Sequence, residues 1–136
     1  MSTYTWQNLS FDLPAGMHDD TVLSFVNDPE NSGFSLTVAM DDLDNGLDGY
    51  SVDVVRELTE AEPGFSLERR EKKKVAGKPA IIMHQSIKAE DVVMMQRQAL
   101  VDAGDNKVAV VSITYIEDAA DAALDCFTAV LGSLSI

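Results

Sequence analysis

The chain has 136 residues, 46% of them hydrophobic and 24% charged. That is the balance of one ordinary globular domain, 1–136, rather than of a disordered chain. Twenty-three acidic residues against ten basic ones give a formal charge of −13, which disfavours duplex nucleic acid and anionic membranes as partners because both would repel it. The single cysteine, Cys126, excludes an internal disulfide and a cysteine-based zinc site.

The N-terminal stretch MSTYTWQNLSFDLP has neither a basic leader nor an apolar core, so no signal peptide is read and a cytoplasmic protein is expected. No apolar run approaches the ~20 residues of a membrane span, so direct membrane insertion is not expected. Residues 4–13 alternate loosely and stop at Pro14-Ala15-Gly16, which predicts one or two short strands. Strands follow at about 21–27 and 34–41, joined by the turn-forming run Asn27-Asp28-Pro29-Glu30-Asn31-Ser32-Gly33.

These two strands have chemically different faces. Leu23 and Phe25 point one way and Val22, Ser24 and Val26 the other; Phe34, Leu36, Val38 and Met40 oppose Ser35, Thr37 and Ala39. The large face needs a core, and the small, mildly polar face needs an explanation.

After an acidic loop at 41–46, a helix is expected from about Ser51, its N-cap, to Pro63-Gly64, with Val52, Val55, Leu58 and Ala61 at helical spacing. A charged strand spans 65–75. Strands at 80–88 and 92–101 form a hairpin around Ala89-Glu90-Asp91, and a Val-, Ile- and Tyr-rich strand covers 107–116. From Asp118, a good N-cap, Ala120, Ala123, Leu124, Phe127, Val130, Leu131 and Leu134 make one helical stripe, with Gly132 the expected stop. The order predicts an α+β fold: an antiparallel sheet with two helices packed on one face.

No stretch has the chemistry of an enzyme. The acidic loop lacks calcium ligands at the required spacing: counting from Asp41, the third position is Leu43 and the twelfth is Val52. His18 and His84 stand far apart with no metal-ligand spacing, and no nucleophile elbow or phosphate-binding glycine loop is present. No metal or cofactor is expected. Cys126, beside Phe127, reads as a small buried hydrophobe. Arg69, Arg70 and Lys72-Lys73-Lys74 alternate to both sides of a strand and read as an edge that discourages aggregation.

On the later strands, Val110, Ser112 and Thr114 alternate with Val111, Ile113 and Tyr115. If helices cover the large-residue face, the other presents Val22, Ser24, Thr37, Ser112 and Thr114. Met94, Gln96 and Gln98 share one face of their strand, although Val93-Met94-Met95 is apolar on both sides and pattern alone does not orient 92–101. Such a face suits close docking of another backbone, with hydroxyls and amides to satisfy what docks. A plain solvent-facing sheet has the same pattern.

The residues Tyr4, Leu9, Phe11-Asp12-Leu13-Pro14 and 19–25, then Tyr50, Val54 and Leu58, Pro63-Gly64-Phe65, Gly77, Gln85 and Arg97-Gln98 resemble DcrB-like proteins of the PsbP-like fold. More narrowly, the chain is similar to Eag-type chaperones of type VI secretion effectors. The resemblance implies a small, cytoplasmic, non-enzymatic protein, usually a homodimer, that holds the N-terminal transmembrane helices of an effector of the PAAR/Rhs type. It implies that the open sheet face grips those helices through Val22, Ser24, Thr37 and Gln98, and the strand pattern adds Val26 and Ser112. Ser24 and Thr37 replace the bulkier aliphatics of relatives, and Glu57 stands where an amide can occur. A generic PsbP-like accessory module for a soluble partner is the alternative.

Overall fold

The computed structural model describes residues 2–17, 19–26 and 33–136. Its strands are β1 (Ser2–Trp6), β2 (Leu9–Leu13), β3 (Val22–Val26), β4 (Phe34–Asp42), β5 (Phe65–Val75), β6 (Lys78–Ala89), β7 (Val92–Gly104) and β8 (Lys107–Tyr115). Two helices, α1 (Gly46–Ala61) and α2 (Ala120–Ser133), follow β4 and β8 respectively. β1 and β2 form a separate hairpin, braced by the Tyr4–Phe11 ring contact. The other six strands make one antiparallel sheet in the order β3-β4-β8-β7-β6-β5. The expected α+β class and antiparallel sheet are therefore present.

Tight turns set the register. Ala76 and Gly77, with φ of 55° and 73°, close the β5–β6 hairpin in the doubly left-handed conformation that matches strand twist. Where α1 hands over to β5, the Gly64 carbonyl accepts a bond from Lys88 N at 3.0 Å. A Cβ on Gly64 would meet the Lys88 carbonyl oxygen at 1.9 Å, so only glycine fits this approach.

The helices pack on opposite faces of the sheet, not on one. α2 lays Ala123 and Phe127 against Leu36, Ile82, Ala99, Val101, Val111 and Ile113. α1 lays Leu47, Tyr50, Val54 and Val55 against Ile81, Met83, Leu100 and Val108. Adjacent residues of one strand, Ile81 and Ile82, thus enter different cores, as strand alternation requires. The cause lies in the connection. β4 and β5 are four antiparallel steps apart and run parallel, so α1 must cross over one face of the sheet to join them, and that face is set by chain topology.

Element ends also differ from expectation. α1 begins five residues before Ser51, because Leu47 and Tyr50 add a packed turn upstream. Ser51 is buried within the helix, its hydroxyl donating to the Asp48 carbonyl at 2.8 Å. Val52, expected on the packed stripe, faces solvent, and Ala61 is exposed too. Asp118 lies in a 3-10 turn (Glu117–Ala119) and makes no side-chain cap, and Gly132 stays inside α2. Asp41 and Asp42 belong to the end of β4 rather than to a loop. On the edge strand β3, Leu23 and Phe25 share the α2 face but remain exposed, because α2 packs over β8 and β4 and does not extend that far. The turn expected at 27–33 falls outside the described residues except for Gly33, and His18 lies outside them entirely.

Candidate docking face

Register places every sequence-nominated site residue on one face of the sheet. One lateral row runs Ser24–Thr37–Ser112–Gln98, each residue directly opposite the next across β3, β4, β8 and β7. Val22 and Val26 flank Ser24 on β3, on the same side of the strand. Parallel rows carry Val22–Ala39–Val110 and Val26–Ser35–Thr114.

α1 covers only part of this face, the part over β5, β6 and β7. Over β3 the face is bare: Val22 is 54% exposed and Val26 51%, with Ser24 exposed between them. Thr37 and Gln98 are half-buried and Ser112 is buried. The surface therefore slopes from an open apolar edge, across small hydroxyls, to amides beside α1.

Those amides form a ladder. Gln85 Nε2 donates to Gln96 Oε1, and Gln96 Nε2 donates to Thr114 Oγ1 at 3.0 Å. Gln85 is fully buried. Yet its Oε1, like Gln98 Oε1, has no hydrogen-bond partner among the described residues. A buried acceptor without a donor forfeits the bond it had in water, so each of these two atoms is an unmet polar group beneath the face. Gln85 was not among the nominated residues. The signal that finds it is the β6–β7 turn, whose register sets Gln85 opposite Gln96.

An acidic cleft of about 280 Å³ adjoins the face, lined by Asp41, Asp44, Asp53 and Glu57 with Tyr50. Tyr50 donates to Asp41 Oδ2 at 2.7 Å. Burial, reinforced by that carboxylate, raises the phenol's pKa far above its ordinary value, so it stays a neutral donor. Among the described residues, no group of three or more His, Cys, Asp or Glu has the geometry to hold a metal ion.

The basic run on β5 divides as alternation demands. Arg70 and Lys72 reach Asp48 of α1, the lysine at 3.3 Å, while Arg69 and Lys73 pair with Glu71 on the α2 side. Arg70 beside Asp48 holds that carboxyl below its usual range, with help from Lys72. Cys126 is half-buried against the α2 core.

The DcrB family model matches residues 9–133. The chain belongs to the DcrB family. Among solved structures, this DcrB-family chain is similar to PA94 of Pseudomonas aeruginosa, a protein of unknown function, at 17% identity and a TM-score of 0.78, covering 100% of this chain and 96% of that one. It is similar to the cyanobacterial PsbP protein CyanoP of Synechocystis sp. PCC 6803 at 14% identity and a TM-score of 0.64, over 93% and 85% of the two chains. LpqN of Mycobacterium tuberculosis, a protein involved in cell envelope biogenesis, matches at 13% identity and a TM-score of 0.50, over 83% and 82%. At these identities the likeness establishes a shared PsbP-like fold. No curated protein matches the sequence significantly. Among the described residues, no helix is long and apolar enough to cross a membrane.

Proposed function

We propose that this DcrB-family protein is a non-enzymatic chaperone or adaptor, of the Eag type, that shields the N-terminal transmembrane helices of a type VI secretion effector before export. The observation that carries this reading is the half-covered sheet face, with its Ser24–Thr37–Ser112–Gln98 row and its apolar margin of Val22 and Val26. A membrane helix in water exposes a continuous apolar surface that drives aggregation. Valine side chains remove that surface from water. Small hydroxyl residues let the client backbone approach closely, and hydroxyls and amides replace the bonds a neighbouring membrane helix would supply.

In this reading the protein works in the cytoplasm, as a homodimer, on an effector of the PAAR/Rhs class. The formal charge of −13 keeps the loaded complex soluble and repels anionic bilayers that would compete for the client. A second reading is an accessory module for a soluble partner; the polarity of the central row favours it, since a hydrophilic surface pairs with the same hydroxyls.

Co-expression separates the two. An effector's N-terminal apolar segment, tagged and produced with this protein, is expected to stay soluble and to co-purify with it. Val22→Asp with Val26→Asp is expected to reduce that capture at least tenfold while leaving the chaperone folded, because both positions are exposed. A segment that remains soluble without the chaperone, or is held equally by the double variant, overturns the proposal.

A further inference from the structure

The α2 side of the sheet carries an opening of different chemistry. Between the C-terminal half of α2 and β5–β7 lies a cleft of about 420 Å³, within the range of small-molecule sites. Ile82, Phe127 and Leu131 supply its apolar surface. Lys73, Lys74 and Arg97 also line it, three of the ten Lys and Arg residues in a strongly acidic chain.

Arg97 is the centre of the argument. It lies on β7 directly opposite His84 on one side and Ile113 on the other, which places it on the α2 face. Its Nε is buried with no hydrogen-bond partner among the described residues. Glu71, the one carboxylate lining the cleft among the described residues, is already committed elsewhere: His84 Nε2 is 3.2 Å from it, Lys73 Nζ is 3.5 Å away, and Arg69 closes on its other oxygen. Among the described residues Arg97 makes no ion pair, and its Nε–H is a buried donor with no acceptor. Buried donors are nearly always satisfied, and a guanidinium is the side chain best matched to a two-oxygen anion.

We infer that this cleft binds a small amphipathic anion, its oxyanion head on Arg97 with Lys73 at the rim and its apolar tail against Ile82, Phe127 and Leu131. A carboxylate satisfies the fork in the plane of the guanidinium, and a phosphate monoester offers the same oxygen pair. The site is independent of the docking face, since strand alternation puts the two on opposite sides of the sheet. Binding here neither requires nor disproves the chaperone reading.

The test is a titration of the full chain, labelled for amide NMR, with submicellar decanoate, decyl phosphate, acetate and decanol. Saturable shifts at 73–76, 82–84, 97 and 127–132 are expected with decanoate, and far weaker ones with acetate or decanol, which each lack one half of the ligand. Tighter binding of decyl phosphate than of decanoate assigns the head group as phosphate at the same site. Arg97→Met keeps the apolar stem and is expected to weaken binding roughly ten- to a hundredfold. Lys73→Gln, at an exposed position, is expected to weaken it severalfold without any risk to the core. Shifts centred on Val22, Thr37 and Ser112, or an affinity unchanged in both variants, overturn the inference.

Discussion

The two faces of the six-stranded sheet are built from alternate residues of the same strands; each is sealed by a different helix, and both stay open at the β3 edge, where Leu23 and Phe25 on the α2 face are exposed too. On the α2 face, Leu36, Ala99, Val101, Val111 and Ile113 are sealed by Ala123 and Phe127 of one amphipathic helix. On the other, α1 seals Ile81, Met83, Leu100 and Val108 but leaves the β3–β4 flank to solvent, where Val22 and Val26 stand more than half exposed. Size of side chain does not separate buried from open: small Ser112 is buried while large Val22 is not. Coverage by a helix does. A face that is closed contributes to stability, and one left ajar keeps apolar and hydrogen-bonding capacity for a partner.

That contrast can be broken by substitution. Ile113→Ala, at a fully buried position on the α2 face, is expected to cost about 2–5 kcal/mol of unfolding free energy through lost burial and the cavity it leaves. Thr37→Ala and Ser24→Ala, on the open face, should each stay within about 0.5 kcal/mol. Urea unfolding measures all three. A Thr37→Ala cost approaching that of Ile113→Ala would show that the open face is structural.

Gln98→Leu sharpens the comparison further. The substitution removes a buried acceptor that has no partner, so the free protein is expected to keep its stability or to gain on the order of 1 kcal/mol. Capture of an apolar client segment should nevertheless weaken. A large loss of stability would mean that the amide is already satisfied.

The smallest effect concerns how α1 is tied down. The Asp48 carboxyl is held below its ordinary value of 3.8 by the Arg70 hydrogen bond and then by Lys72. A depressed folded-state pKa stabilises the protein above the unfolded value, and that contribution disappears as pH falls through the folded one. Exposure of the pair keeps it small. Asp48→Asn is therefore expected to flatten the acid limb of the stability profile below pH 3.8 and to change little at neutral pH. Equal slopes for the two proteins between neutral pH and strong acid would remove Asp48 from the account.

Much of this could be read from residue order. Alternation at 34–41 and 107–116 named the two faces of β4 and β8, and the turn formers at 89–91 located the β6–β7 hairpin. The stripe through Ala123 and Phe127 named the packed side of α2. α1 was harder: Val52, Val55, Leu58 and Ala61 have helical spacing, but Leu47 and Tyr50 upstream rotate the packed stripe and leave Val52 in solvent. Spacing within a helix cannot choose between two overlapping stripes when the sheet that selects one is elsewhere in the chain. The Gln85–Gln96–Thr114 ladder escaped notice for a similar reason, since its members lie on three strands and meet only through register.

The sequence by itself determined which residues share a side of each strand, because side-chain alternation is local and has period two. It thereby nominated Val22, Ser24, Val26, Thr37 and Ser112, and family likeness added Gln98. Tertiary structure alone decided that these six form one continuous surface, that α1 shares that surface while α2 takes the opposite one, and that Arg97 is left facing a cleft without an acceptor. Those outcomes depend on which strands become neighbours and over which side a crossover passes. Both are long-range choices of the folded chain, and no local period encodes them.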